Sequence, residues 1–128
     1  MPKERFVHIN MRKDGEEVNM GAETVFEFRK KIGEMALGSD AGVGFALASI
    51  KRSAPHWHDA TREYYAVISG TGTAHIDGQS VRLIPLDWLE IPLKAVHSVS
   101  SRNGIYLLAI TSPPWSKDDH HLASEKKK

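Results

Sequence analysis

Cysteine is absent from this chain, which excludes disulfide bonds and thiolate ligands or nucleophiles. Long hydrophobic runs are also missing: no stretch approaches the length of a membrane span, and no apolar segment typical of a signal peptide follows the first residues. Neither sign of charge is in excess, since 17 basic and 16 acidic residues leave a net charge of +1. We therefore expect a cytoplasmic enzyme or binding protein with no nucleic-acid partner and no membrane partner.

Short strand patterns separated by turn signals make up most of the sequence. With 128 residues, 41% of them hydrophobic, the chain is long enough for one domain with a sizeable core. Residues 63–68 and 73–76 have the composition of strands, and two dipeptides typical of hairpin turns occur in the chain, Asp77-Gly78 and Asn103-Gly104. This arrangement predicts an all-β sandwich or barrel.

Two histidines separated by one residue, His56 and His58, are the most informative feature of the sequence. Side chains at positions i and i+2 of a β-strand point to the same side, so the two imidazoles are expected to face the same way. Glu63 on the next strand and His97 on a distant strand can complete a site of three imidazoles and one carboxylate. Such nitrogen and oxygen ligands suit a divalent transition metal.

Residues 56–70 resemble the first motif of the cupin superfamily, G-x5-H-x-H-x(3,4)-E-x6-G. The second cupin motif, G-x5-P-x-G-x2-H-x3-N, is matched more loosely by Pro85 and His97. Other residues replace motif positions at three sites, namely Ile50, Asp87 and Ser101. The resemblance implies a cupin-type double-stranded β-helix, or jelly-roll, barrel with extra N-terminal strands.

The same resemblance implies a division of the chain and a metal site. Residues 1–39 would form an N-terminal extension with edge strands, residues 40–115 the cupin barrel, and residues 116–128 a polar mobile tail that includes two adjacent histidines. One divalent transition metal, Fe, Mn, Ni or Zn, would lie in the barrel, and one or two coordination positions would stay open for water or substrate. Its implied ligands are His56, His58, Glu63 and His97.

Two further side chains are candidates for catalysis. Tyr65 is two residues from Glu63 and therefore shares its side of the strand, so we expect it to lie nearest the substrate. The His75 side chain is expected on the side of its strand that faces away from the side chains of Ala74 and Ile76. It contacts the substrate or the metal ligands if its side lines the barrel, and it faces solvent if it does not; the sequence leaves both alternatives open.

The cupin resemblance implies a metal-dependent enzyme that acts on a small polar molecule. Its chemistry would be that of a dioxygenase, an isomerase or a lyase, so oxidoreductase and isomerase are both candidate classes. The alternative is a non-catalytic barrel that binds a sugar or a small acid. A homodimer is also expected, because residues 6–9 and 25–28 look like strands without a partner in the barrel, and unpaired strand edges are usually covered.

Overall fold

The computed structural model describes residues 10–13, 16–27, 31–32, 35–36 and 42–125, and almost all of its regular structure is β-strand. In the described ranges there is no helix long and apolar enough to cross a membrane. The strands in chain order are β1 (Glu16–Asn19), β2 (Glu23–Glu27), β3 (Lys31–Ile32), β4 (Met35–Ala36), β5 (Gly44–Arg52), β6 (His56–Trp57), β7 (Arg62–Gly70), β8 (Gly72–Ile76), β9 (Gln79–Leu83), β10 (Trp88–Ile91), β11 (His97–Ser112) and β12 (His121–Leu122).

Strand β11 joins the two halves of a 10-stranded antiparallel sheet that curls on itself. Its C-terminal half lies between β5 and β7, and its N-terminal half pairs with β6 and β8. The register shifts between Ser100 and Ile105, where Gly104 has a φ of 100°. The sequence predicts a hairpin turn at Asn103-Gly104, but the structure has a bulge inside one long strand, because both halves of β11 find partners on either side of it.

The predicted hairpin at Asp77-Gly78 is present between β8 and β9. Ile76 pairs with Gln79, and the two turn residues have positive φ values of 47° and 85°. This backbone matches the twist of the flanking strands, which is why Asp-Gly is favoured there. The Asp77 carboxylate also accepts a hydrogen bond from the backbone N–H of Val96, so the turn is tied to the segment that leads into β11.

The N-terminal strands extend the sheet beside β5. Strand β2 pairs with β5, with Glu23 opposite Ile50, and β1 pairs with β2. The part of residues 25–28 that the structure describes, 25–27, therefore has strand partners within the chain, whereas residues 6–9 lie outside the described residues. Alternate residues of the barrel strands point inward and form the core, which includes Ala48, Ile50, Val67, Ala74, Leu83, Val99, Ile105 and Leu107.

We predict that Leu107→Ala destabilises the barrel by about 2–5 kcal/mol, because the Leu107 side chain is fully buried at the centre of β11 and its loss leaves a cavity. Leu108→Ala is the matched control, since its side chain points to the other side and is only half-buried. Chemical denaturation of the two metal-free variants measures the difference. Equal losses would contradict the assigned core.

Candidate metal centre and cavity

The structure brings the four predicted ligands together at one end of the barrel interior. His56 lies on β6 directly opposite His97 at the start of β11, His58 follows β6, and Glu63 lies near the start of β7. All four side chains are buried, and one potential ligand atom from each lies within 4.8 Å of the others. Ligands about 2.0–2.2 Å from a common ion fit within that spacing.

Backbone carbonyl groups fix the orientation of all three imidazoles. The Nδ1 atoms of His56, His58 and His97 lie 2.9, 2.8 and 2.9 Å from the carbonyl oxygens of Ala54, Asp119 and Ala95. A carbonyl oxygen only accepts hydrogen bonds, so each Nδ1 must donate its proton. The neutral rings therefore present the lone pair of Nε2 to the centre of the cluster, as in metal-binding histidines whose other nitrogen is held by a hydrogen bond.

The Nε2 atoms and the Glu63 carboxylate converge closely enough to hold a cation between them. His97 Nε2 is 2.8 Å from Glu63 Oε1, and His58 Nε2 is 3.3 Å from the same oxygen. The contact of His58 does not have hydrogen-bond geometry, so this buried nitrogen has no hydrogen-bond partner among the residues that the structure describes. Because a buried polar atom without a partner is costly, the donor set fits a divalent transition metal, which all four groups can bind at once.

The pKa values of these groups reflect their burial and their closeness to one another. Burial would raise the pKa of Glu63, but the close contacts and positive charge of His58 and His97 outweigh it and lower that pKa. Burial, together with the charge of His97, lowers the pKa of His56 to about 3, so this ring is neutral at physiological pH. Burial opposes the protonation of His58, but the Glu63 carboxylate reverses the effect and raises the pKa of His58. An ionised carboxylate and a neutral imidazole are the forms that bind metal.

The C-terminal segment packs against the metal centre. The sequence predicts a polar mobile tail over residues 116–128. In the described part, residues 116–125, β12 instead pairs with β6 and places Leu122 opposite His56. Two groups of Asp119 form hydrogen bonds with residues 58–61. Its carbonyl oxygen holds His58, and its carboxylate accepts hydrogen bonds from the backbone N–H groups of Asp59, Ala60 and Thr61.

The two histidines assigned to the tail have different surroundings. The His121 ring stacks on Trp57, which faces away from the ligands, and its Nε2 lies 3.2 Å from an Asp59 carboxylate oxygen. The His120 ring instead stacks on His56, with ring centres 4.4 Å apart. The indole N–H of Trp115 donates to His120 Nδ1 at 3.2 Å, so the neutral His120 ring carries its proton on Nε2. The sequence contains no motif that associates this histidine with the metal ligands.

A cavity of about 550 Å³ lies beside the metal centre. Its wall is mostly apolar, and it includes the ligands His56 and Glu63 together with Tyr65 and His120. Tyr65 thus lies on the inner side of β7, as predicted, and its hydroxyl is 3.4 Å from Glu63 Oε1. Burial and the nearby charge of Glu63 raise the pKa of Tyr65 well above its usual value, so the phenol stays protonated at neutral pH.

His75 takes the second of the two alternatives that the sequence leaves open, because its side chain lies on the outer side of the barrel. Its Nδ1 is 3.2 Å from the hydroxyl of Ser80 on β9, and its Nε2 is 3.2 Å from that of Ser100 on β11. The adjacent Ala74 is the residue that points inward, with 1% of its surface exposed. The structure therefore does not bring His75 to the cavity, and the strand register explains the difference from Tyr65.

Glu23 lines the cavity but is not among the site residues predicted from the sequence. It lies on β2 in a stretch that reads as polar, and pairing with β5 directs it into the cavity. Burial is the main cause that raises the pKa of Glu23 to about 7, and the negative charge of Glu63 adds to it. One feature of the sequence could have indicated this position: Glu23 and Val25 are two residues apart and so share one side of a strand.

A sequence relative exists, but no protein-family model matches the chain. An uncharacterized protein of Aquifex aeolicus (strain VF5) is 31% identical over 92 residues, which are 70% of this chain and 76% of that protein.

Solved structures with the same fold cover nearly the whole chain. Pac13 of Streptomyces, described as a nucleoside dehydratase, has a TM-score of 0.72 at 15% identity and covers 96% of this chain and 98% of its own. A protein from Planctomyces limnophilus has a TM-score of 0.74 at 24% identity, with 92% and 97% covered. Oxalate decarboxylase of Lactobacillus farciminis has a TM-score of 0.73 at 14% identity, with 90% of this chain and 35% of that chain covered.

The curled all-β sheet and its likeness to these solved structures define a cupin-type β-barrel fold, and the buried cluster of three histidines and one glutamate lies inside it. The chain belongs to the same family as the Aquifex aeolicus protein. The predicted fold class is thereby confirmed.

We predict that His58→Ala or His97→Ala reduces bound metal from roughly one ion per chain to nearly none, since each change removes one imidazole of the set. The barrel should stay folded, because its core is built from apolar side chains. Elemental analysis and circular dichroism measure both properties. His75→Ala is the control and should retain the metal; variants that bind metal as tightly as the wild type would refute the ligand assignment.

We also predict that Asp119→Ala weakens metal binding by about 10–100-fold, because the carboxylate that holds the 59–61 backbone beside His58 is lost. Asp118→Ala is the matched control, since the exposed Asp118 lies next to it in the same turn and contacts no ligand segment. Competition with a metal-binding dye gives the two affinities. Equal affinities for both variants would mean that the C-terminal segment does not support the site.

Proposed function

We propose that this protein is a metal-dependent enzyme that acts on a small organic molecule bound in the cavity. One observation carries the proposal: His56 and Glu63 belong both to the metal cluster and to the wall of the cavity. A metal held by the cluster therefore borders a space of about 550 Å³, within the size range of small-molecule sites. Structural metal sites, in contrast, are closed by their ligands.

The residues around this cavity would have different roles in the proposed reaction. A bound divalent ion would supply Lewis-acid chemistry and bind substrate through oxygen atoms. The apolar wall, which includes Val25, Phe45 and Leu107, excludes water and holds the body of the substrate. Tyr65 keeps its proton at neutral pH, and its hydroxyl lies at the metal side of the cavity, so it can donate a hydrogen bond to a substrate oxygen.

Dioxygenase, isomerase and lyase reactions all remain candidate chemistries for this site. The alternative function is a barrel that binds a sugar or small acid without turnover, which would need no acid–base groups beside the metal. Glu23, Tyr65 and His120 all line the cavity, and this favours an enzyme. Incubating the metal-loaded protein with a metabolite mixture tests the proposal. A metabolite that binds but is never converted would support the alternative.

We predict that Tyr65→Phe lowers turnover by about 100-fold or more while the metal content stays unchanged, because only the hydroxyl beside Glu63 is removed. Tyr64→Phe is the matched control, since the neighbouring Tyr64 stacks on Trp88 rather than lining the cavity. Steady-state kinetics on the identified substrate, with elemental analysis of each variant, decide the matter. Undiminished turnover in Tyr65→Phe would remove Tyr65 from the mechanism.

We further propose that the protein is a cytoplasmic homodimer. Strand β1 pairs only with β2 among the described residues, so its other edge is available to a second chain. Light scattering at micromolar concentration should therefore give twice the mass of one chain, and deleting residues 1–12 should reduce it. A monomer at high concentration would contradict this prediction.

A further inference from the structure

The described wall of the cavity contains two glutamates and no strongly basic side chain. Among the described residues of its wall there is no lysine or arginine, whereas Glu23 and Glu63 both line it. The negative charge of Glu63 is balanced by the neighbouring imidazoles, and a bound metal would balance it as well. Glu23 lies outside the ligand cluster and forms no ion pair with the described residues, although the charge of His97 acts on it from a distance.

Glu23 is placed to contact a bound molecule. Its backbone lies on β2 opposite Ile50, whose side chain also lines the cavity. Within the described part of the chain no side-chain or backbone group donates a hydrogen bond to its carboxyl group, which is half-buried. Burial and the charge of Glu63 raise its pKa to about 7, which agrees with a carboxyl group close to the metal centre.

This arrangement discriminates between substrates by charge. A phosphate or a second carboxylate on the substrate would be buried beside Glu23 without a cation, and a buried unpaired charge is costly. A hydroxyl or amino group would instead donate a hydrogen bond to the carboxyl oxygen that lacks a donor. The apolar remainder of the wall, which includes Val18, Met20, Ala46 and Pro114, suits an apolar substrate body.

Building on the proposed function, we propose that Glu23 determines specificity at this site. The substrate is an uncharged or cationic organic molecule that presents a hydroxyl or amino group to Glu23. It has an apolar body and carries no phosphate and no carboxylate beyond what the metal binds. This excludes sugar phosphates.

The test uses three probes with one metal-binding head and different tails: 4-(2-hydroxyethyl)catechol, dopamine and 3,4-dihydroxyphenylacetate. Their dissociation constants are measured calorimetrically on the zinc-loaded full-length chain at pH 8, where Glu23, with its pKa of about 7, is mostly ionised. The hydroxyl and ammonium probes should bind at least about tenfold more tightly than the carboxylate probe, as expected for a tail buried beside an acidic group. Glu23→Gln should reduce this difference to about threefold or less, because the carboxyl charge is removed while the shape is kept.

The matched control is Glu17→Gln on β1, since the exposed Glu17 lines a different groove. This variant should keep the wild-type preference, and all three proteins should hold the same amount of zinc. Equal binding of the three probes to the wild type, an unchanged preference in Glu23→Gln, or no binding of any probe would overturn the inference. The proposed function fails separately: charge-selective binding without turnover of any metabolite would refute the enzyme and leave the role of Glu23 intact.

Discussion

The hydrogen bonds between three histidine Nδ1 atoms and backbone carbonyl groups are the constraint on which this metal centre depends. Each bond fixes a tautomer and aims an Nε2 lone pair at the position facing Glu63. Two of the carbonyl groups, those of Ala54 and Ala95, lie two residues before the histidine that they hold. The third comes from Asp119, 61 residues away from His58 along the chain. The site is thus built partly by local strand geometry and partly by the C-terminal segment.

The C-terminal segment connects the cluster to the cavity. Asp119 fixes the loop that follows His58, β12 covers the edge of β6, and His120 stacks on His56 where the cavity begins. Trp115 orients His120 in turn through its indole N–H. A short segment therefore holds a candidate ligand on one side and lines the cavity on the other.

Two carboxyl groups in one interior behave differently because their partners differ. Glu63 has imidazole donors that favour its ionised form, whereas Glu23 has burial and a negative neighbour that favour its protonated form. Such divergence between neighbouring acids is common where one group binds a metal or stabilises charge and another contacts or exchanges protons with a substrate.

The sequence alone determines which side chains share one side of a strand, and the resemblance to cupins adds the candidate metal ligands and the expected inner position of Tyr65. Alternation over two residues places His56 beside His58 and Glu63 beside Tyr65, whatever surrounds them. It leaves His75 undecided, because alternation gives two sides of a strand without saying which one is buried. Only the pairing of β8 with β9 and β11 settles that His75 points outward. The roles of Glu23, Asp119 and His120 likewise come only from the tertiary structure, because each depends on contacts between segments far apart in the chain, and no local pattern encodes such contacts.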